Sequence, residues 1–400
     1  MSRNFVPSSH AAWAELTLAL GGFAIGTGEF VAMGLLPDVA SDFRVTIPMA
    51  GHVISAYALG VVVGAPIIAV LTARWSRQRL LVALMALFSV ANFVSTLVHS
   101  YPALIAIRFV AGLPHGAYLG VASLVAASLA PPNARAQAVG RMMLGLTGAT
   151  LVGVPLATWL GEHLGWRAAY MLVGGIGVLT GMLIIRCLPR CEPDSDRSPL
   201  RELSALGRGQ VWLTLGIGSI GFGGLFCVYT YITPTVTRVT GLPLSTVPLV
   251  LAAFGIGMIV GNLVGARLAD RDLMRTIGGV LIWNMIVLTV FSLGVHERRL
   301  AFVTVFLVGT GVAMVPALQT RLMDVAAQAQ TLAAALNHSA FNIANALGAW
   351  LGGIAISGGL GWTSTGWVGA LLAGIGFVIF IISLAQERAA RRTATAEVVA

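Results

Sequence analysis

Two charged side chains lie inside stretches that are long and apolar enough to cross a lipid bilayer. Glu29 lies within ELTLALGGFAIGTGEFVAMGLLP, residues 15–37, and Arg108 lies within a later apolar stretch. A carboxylate in the hydrocarbon core costs about 3 kcal/mol even on the most lenient insertion scale, so it normally faces the protein interior. Glu29 therefore marks a candidate site for a proton, an ion or a substrate. The alternative is a neutral Glu29 that only joins two helices through hydrogen bonds.

Glu29 and Arg108 are expected at similar depths in the membrane. At 1.5 Å per residue, Glu29 lies about 12 Å from Pro37 and Arg108 about 9 Å from Pro102, with both prolines near the same membrane face. The spacing predicts a Glu29–Arg108 contact, direct or through water, in which the guanidinium stabilises the ionised carboxylate until it is protonated. The two residues are thus the predicted proton-coupling pair. Alternatively, Arg108 bonds only to backbone carbonyls of neighbouring helices.

His115 follows Arg108 by seven residues and Gly112 by three, so these residues share one helical face. An imidazole at this position could relay protons or contact a substrate. A histidine between helices is more often a hydrogen-bonded packing residue, and both interpretations stay open.

A second polar stripe lies in the eleventh apolar run. His338, Asn342 and Asn345 are spaced i, i+4 and i+7, so they share a helical face. They either line a watery path or bond neighbouring helices. The predicted substrate-cavity residues are His115, Tyr118, Tyr229, Asn342 and Asn345.

The composition is that of a membrane protein. Of 400 residues, 57% are hydrophobic and 10% charged, whereas about a quarter are charged in soluble proteins. Walker A, H-E-x-x-H and G-x-S-x-G motifs are absent, so we expect neither an ATP-driven pump nor an enzyme. We also expect no cofactor, no metal site and no nucleic-acid partner.

Apolar runs of about the bilayer-spanning length of 20 residues recur twelve times, which predicts twelve transmembrane helices. Continuous runs exclude the alternating pattern of a β-barrel. The expected fold class is therefore all-α integral membrane. The runs are 14–36, 49–72, 80–98, 102–127, 138–160, 166–188, 211–233, 246–269, 276–295, 300–320, 332–356 and 365–385.

The chain repeats itself at an offset of about 197 residues. Gly60 corresponds to Gly257 and Gly112 to Gly309, and the one long polar break separates the two sets of six runs. We predict an N-terminal six-helix bundle at 1–188, a cytoplasmic linker at 189–210 and a C-terminal six-helix bundle at 211–400. Two similar bundles are typical of secondary transporters, which place the substrate between them.

Gly145, Gly148, Gly153 and Pro155 predict a bend and a close helix contact in the fifth run, because proline removes a backbone hydrogen bond and glycine permits close approach. All 24 basic residues are arginine, and most fall in loops on one side. The positive-inside rule then places both termini in the cytoplasm of a cell whose inner membrane holds the protein.

Four segments resemble the major facilitator superfamily, in particular its bacterial drug:proton antiporter branch with the arabinose-type sugar efflux and chloramphenicol efflux proteins. They are TGEFVAMGLLPDVA at 27–40, IPMAGHVISAYALGVVVGAPIIA at 47–69, RFVAGLPHGAYLGVAS at 108–123 and GVPLATWLGEHLGWR at 153–167. The resemblance covers nearly the whole chain and implies the major facilitator fold.

The resemblance also implies conformational roles. The family's G-x-x-x-D-R-x-G-R loop keeps Arg74 and Arg77 here but has Ala73 at the Asp position, whereas the second half keeps Asp270 and Arg271. This loop normally latches the two halves together. Arg108 and Gly112 match the family's R-x-x-x-G, which implies a role for Arg108 in proton coupling.

These observations predict a proton-coupled exporter of small amphiphilic compounds such as chloramphenicol-like drugs. The direction of export follows from the resemblance alone. The expected partners are a small-molecule substrate, protons and the lipid bilayer, and the expected state is a monomer. A sugar or metabolite exporter of the same fold is one alternative. A non-transporting membrane sensor or scaffold is another.

Overall fold

The computed structural model describes residues 8–45, 47–189, 202–326 and 329–399. Every regular element in these ranges is helical. The predicted linker at 189–210 falls largely on 190–201, outside the described residues.

Twelve long helices follow one another in the described ranges. The first six are α1 Ser8–Gly34, α2 His52–Leu71, α3 Arg77–Leu97, α4 Tyr101–Leu129, α5 (Arg135–Gly148, Ala149–Gly153 and Val154–Leu164) and α6 Trp166–Cys187. The second six are α7 Gly209–Thr230, α8 Val247–Arg271, α9 Leu273–Gly294, α10 Arg298–Val325, α11 Gln330–Leu360 and α12 Ser364–Val399. Eleven of them, α2 to α12, contain an apolar stretch long enough to cross a membrane, and α1 is 27 residues long. The protein is therefore an integral multi-pass membrane protein.

Side chains that cap the free N–H groups of a first helical turn set several helix boundaries. The Ser76 hydroxyl accepts from the Arg79 N–H at the start of α3, and Asp272 does the same for Arg275 at the start of α9. Such caps stabilise a helix end by about 1 kcal/mol.

At the position of the predicted bend, α5 has one wide helical turn, Ala149–Gly153, which ends two residues before Pro155. Proline has no N–H, and its ring would collide with the carbonyl one turn earlier, so the turn must widen to accommodate it.

The repeat has a structural counterpart where α2 crosses α4 and where α8 crosses α10. A Cβ atom on Gly60 or Gly112 would lie 2.1 Å from a carbonyl oxygen of the facing helix. A Cβ on Gly257 would meet the Phe306 carbonyl at the same distance, and one on Gly309 would meet that of Phe254 at 2.3 Å. Only glycine lets these backbones approach so closely.

The first and second sets of helices meet through α2 and α4 against α11, and through α5 against α8 and α10. Ala65 and Ala69 of α2 pack with Leu332 and Ala335 of α11. These residues lie at the end of α2 and the start of α11, near the α2–α3 and α8–α9 turns. We call this region the closed end, and the sequence predicts that it faces the cytoplasm.

Candidate functional site

A cavity of about 90 Å³ lies between the two sets of helices. Glu29 and His115 line it from the first set, and Tyr229, His338 and Asn342 line it from the second. Aromatic rings form much of the remaining wall, namely those of Phe30, Phe222, Phe226, Phe254 and Phe341. Pockets that hold drug-sized molecules measure about 300–1,000 Å³, so the two sets must separate further to admit such a molecule.

Glu29 faces the protein interior, as its membrane depth requires. Its side chain is 13% exposed, and its Oε2 atom lies 3.9 Å from Nδ1 of His115. The same Nδ1 lies 3.2 Å from the Tyr57 hydroxyl. A carboxylate, an imidazole and a phenol, all able to exchange protons, therefore lie next to one another, and the first two line the cavity.

Arg108 is fully buried and has other partners than the predicted carboxylate. It donates to the Gly28 carbonyl at 2.8 Å and to Asn92 Oδ1 at 3.1 Å. Its guanidinium carbon also lies within 5 Å of the ring centres of Tyr57 and Tyr170, at 4.8 and 4.7 Å.

The direct Glu29–Arg108 ion pair is not formed. Within the described ranges, the cationic or imidazole nitrogen within 4 Å of the Glu29 carboxylate belongs to His115. Arg108 is nevertheless one peptide unit away, because the carbonyl that it binds belongs to Gly28. The interpretation in which Arg108 bonds to a backbone carbonyl describes this contact better than the direct pair does.

Two histidines bridge the two sets of helices. The ring centres of His115 in α4 and His338 in α11 are 5.9 Å apart, and His338 packs edge-on against Phe341 at 6.0 Å. The Glu29–His115 contact thus lies next to the polar stripe of α11, so the structure brings the two sequence-derived polar groups together.

Of the predicted cavity residues, Tyr118 is the one that the structure places elsewhere. Its hydroxyl donates to the Leu18 carbonyl at 3.1 Å, and the side chain is fully buried between α4 and α1. Tyr229 does line the cavity, with its ring stacked on Phe254 at 4.7 Å. Asn342 and Asn345 line it as well.

Tyr57 and Asn92 are site residues that the predicted set lacks. Each is one of several polar side chains in an otherwise apolar helix, a signal too weak to separate a site residue from an ordinary packing residue.

The predicted conformational residues fall into two groups. Before the wide turn of α5, a Cβ on Gly145 would meet the Ala19 carbonyl at 1.8 Å, and at the end of that turn a Cβ on Gly153 would meet the Thr27 hydroxyl at 2.1 Å. α5 and α1 are therefore in tight backbone contact beside Gly148 and Pro155.

The second group lies at the closed end. The Asp270 carboxylate accepts from the N–H groups of Ala136 at 2.7 Å and Gln137 at 2.9 Å, in the first turn of α5. Arg77 donates to the Leu124 carbonyl at 3.5 Å. Arg74 and Arg271 are exposed nearby.

Residues 18–337 match the model of the Major Facilitator Superfamily, which is more than half of the chain. The chain belongs to the major facilitator superfamily. This transporter is 39% identical over 373 residues to the inner membrane transport protein YdhP of Escherichia coli strain K12, covering 93% of this chain and 96% of YdhP. It is 32% identical over 371 residues to a chloramphenicol resistance protein of Streptomyces lividans, covering 90% and 94% of the two chains.

The fold also agrees with solved structures. The human organic anion transporter TETRAN superposes with a TM-score of 0.76 at 16% sequence identity, covering 94% of this chain and all of that one. At this identity the likeness shows the fold alone. The predicted fold class of twelve helices in the major facilitator arrangement is confirmed.

Proposed function

We propose that this transporter exports small amphiphilic compounds in exchange for protons and that Glu29 is the group that binds the proton. The observation that carries the proposal is the position of Glu29, whose carboxylate lines the cavity between the two sets of helices and lies 3.9 Å from His115. A carboxylate at this place can change its charge when the cavity faces a different side of the membrane.

The proposed cycle uses Arg108 without a direct ion pair. Arg108 holds the Gly28 carbonyl, which fixes the backbone immediately before Glu29 and places a fixed positive charge close to it. An ionised Glu29 is stabilised by this charge, and a protonated Glu29 can bond to its neighbours or to substrate. Proton binding on one side of the membrane and proton release on the other then drive the conformational change that opens the cavity to each side in turn.

The cavity wall supports an amphiphilic substrate. Aromatic rings supply apolar contact area, and a few polar groups supply orientation, the combination typical of small-molecule pockets. Export of a drug-like compound is further supported by the relative named as a chloramphenicol resistance protein. The aromatic wall favours an amphiphile over a sugar, whose hydroxyls need many polar partners.

The relative named as an inner membrane transport protein supports the inner membrane as the location. We propose a monomer with both termini in the cytoplasm, as the arginine distribution predicts. We also retain the division into bundles at 1–188 and 211–400 with a linker at 189–210 as part of the proposal.

The experiment uses purified protein in liposomes with an acidified lumen. Labelled chloramphenicol and tetraphenylphosphonium are added outside, and both substrate accumulation and proton efflux are followed. An antiporter accumulates at least one of these compounds as protons leave, and an uncoupler abolishes the accumulation.

Glu29→Gln is expected to reduce gradient-driven accumulation to the background. Asp38→Asn is the matched control, since Asp38 is an exposed carboxylate nine residues further along the chain. Unimpaired coupled transport in Glu29→Gln would refute the role of Glu29. No flux of either compound in the unaltered protein would count against exchange of amphiphiles for protons and favour a sensor or another substrate class.

A further inference from the structure

Two polar atoms on the α11 wall of the cavity have no hydrogen-bond partner among the described residues. They are Nε2 of His338 and Oδ1 of Asn342. Both residues line the cavity, and His338 is only 3% exposed. The spacing i, i+4 places them on one face of the helix.

The remaining contacts of Asn342 fix its orientation. Its Nδ2 group donates to the His338 carbonyl at 3.0 Å, within the same helix. The donor side of the amide is thus engaged by the backbone, and the acceptor side is left for another partner.

Such atoms are expensive to bury. A buried donor or acceptor without a partner has lost its hydration and gained no hydrogen bond in return, and about nine in ten or more of the buried polar groups in proteins are satisfied. Leucine or phenylalanine at either position would suit the aromatic wall without this cost. Two such atoms on neighbouring turns, both beside a cavity, indicate groups that a ligand satisfies.

We propose that His338 and Asn342 form a two-point hydrogen-bonding site for a neutral hydroxyl or amide group of the exported compound. Asn342 Oδ1 accepts a hydrogen bond from the O–H or N–H of the compound, and His338 Nε2 bonds to the adjacent polar atom of the same group. The apolar body of the compound packs against Phe222 and Phe341, whose ring centres lie 4.9 Å apart.

This inference rests on the proposed export function and adds its substrate class. Glu29, on the wall formed by the first set, carries the proton, while the α11 pair selects neutral compounds that carry a hydrogen-bond donor. A lipophilic cation without O–H or N–H groups satisfies neither atom of the pair.

The test measures equilibrium binding to the full-length protein in nanodiscs without a pH gradient, so a failure of proton coupling leaves the result intact. Chloramphenicol, which carries hydroxyl and amide groups, is compared with tetraphenylphosphonium, which carries neither. The variants are Asn342→Leu, His338→Leu and His338→Gln.

Asn342→Leu and His338→Leu are expected to weaken chloramphenicol binding about tenfold, as the loss of about 1.4 kcal/mol in hydrogen bonding predicts, and to change tetraphenylphosphonium binding less than about twofold. His338→Gln keeps a polar group and should retain more chloramphenicol binding than His338→Leu. Ser89→Ala is the control, because its hydroxyl is also buried and unpartnered within the described ranges but does not line the cavity.

Three outcomes would overturn the proposal. They are absence of chloramphenicol binding to the unaltered protein, equal losses for both compounds, and unchanged chloramphenicol binding in both leucine variants. Thermal unfolding of each variant identifies a loss of binding that comes from misfolding. Among the folded variants, the proposal requires that His338→Gln bind chloramphenicol more tightly than His338→Leu.

Discussion

The carboxylate of Glu202 accepts a 2.9 Å hydrogen bond from the backbone N–H of Leu332, in the first turn of α11. Leu332 follows Ala136 by one repeat, and the Ala136 N–H bonds to Asp270 in the same way. The family position that corresponds to Asp270 in the first half is Ala73. The repeat would pair an aspartate at position 73 with the start of α11, but this position is Ala73. Glu202, just before α7, instead accepts the hydrogen bond from the free N–H group at the start of α11.

The two caps differ in what they join. Asp270 at the end of α8 reaches α5 in the first set, so separation of the sets at the closed end breaks its two hydrogen bonds. Glu202 lies in the last part of the predicted linker, seven residues before α7, and α11 belongs to the second set, so their contact can persist during separation. The two caps are thus asymmetric, because the Asp270 carboxylate reaches the first set of helices and the Glu202 carboxylate binds α11 of the second set.

Asp270→Asn is accordingly expected to favour opening of the closed end. Asparagine keeps one acceptor oxygen but loses the charge and the second acceptor, and a loss of about 1–2 kcal/mol changes the ratio of closed to open molecules about 5- to 30-fold. Spin labels at Arg79 and Arg275, both exposed, measure the opening by electron–electron distance in a variant without the three native cysteines. The distribution should shift to longer distances.

Glu202→Gln is the comparison for this measurement. It should lower the thermal stability with a much smaller change in the distance distribution. A shift as large as that of Asp270→Asn would show that Glu202 also holds the two sets together, contrary to the proposed asymmetry of the two caps.

Asn92 is expected to matter through Arg108. Asn92→Leu removes the acceptor for one guanidinium nitrogen in a fully buried site, and a hydrogen bond to a charged group contributes about 1.5–3 kcal/mol. The variant should unfold at a lower temperature and lose gradient-driven transport. Thermal unfolding and liposome transport are measured together, with Asn92→Asp as a second variant that keeps an acceptor and should retain the stability.

The helix crossings at glycine predict that two Gly→Ala substitutions, one at a crossing and one away from it, differ sharply in their effect on stability. Gly112→Ala places a methyl group 2.1 Å from the Tyr57 carbonyl, so the backbones must move apart, at a cost of about 1–3 kcal/mol or more. Gly279→Ala in α9 meets no atom within 4 Å and should be neutral or stabilising by up to about 1 kcal/mol. Unfolding in a denaturing detergent series compares them. Equal losses of stability in the two variants would show that α2 and α4 can move apart at the crossing at little cost.

An ion pair between Asp42, in the segment that joins α1 to α2, and Arg167, in the first turn of α6, gives a pH-dependent prediction. Arg167 donates to Asp42 at 2.6 Å and the Trp166 indole donates at 3.0 Å, which holds the pKa of Asp42 below its ordinary value. A carboxyl whose pKa is lower in the folded state stabilises the fold above its unfolded pKa of about 3.9, and this contribution disappears as the pH falls through the folded pKa.

Asp42→Asn should therefore lower the stability at neutral pH by about 0.2–1 kcal/mol, the range of exposed ion pairs. The difference from the unaltered protein should vanish in strong acid. Thermal unfolding at a series of pH values measures this difference in stability. A difference that persists below the pKa of Asp42 in the folded protein would show that packing, not charge, causes it.

The sequence predicted the fold because hydropathy and the repeat are local or periodic signals. Glu29 was found by the same reasoning, since a carboxylate in an apolar run has few structural uses. The type of partner was among the alternatives for Arg108, but Asn92 and Gly28 could not be identified, because depth along a helix does not specify the rotation that directs Arg108 to them. Tyr118 was placed in the cavity for the same reason.

The Glu202 contact was beyond sequence reasoning for another reason. It joins residues 130 positions apart, and nothing in the polar segment around Glu202 distinguishes it from an ordinary solvated acid. Only the packing of the chain onto the start of α11 reveals its partner.

The interlocked backbones of α2 and α4 have a practical consequence for following this transporter at work. With carbonyl oxygens seated against glycine on both sides, neither helix can slide or tilt along the other without a collision. We therefore expect two fluorophores, one on each of these helices, to keep a nearly constant separation during transport. They would provide an internal ruler against which the motion of all other helices can be calibrated.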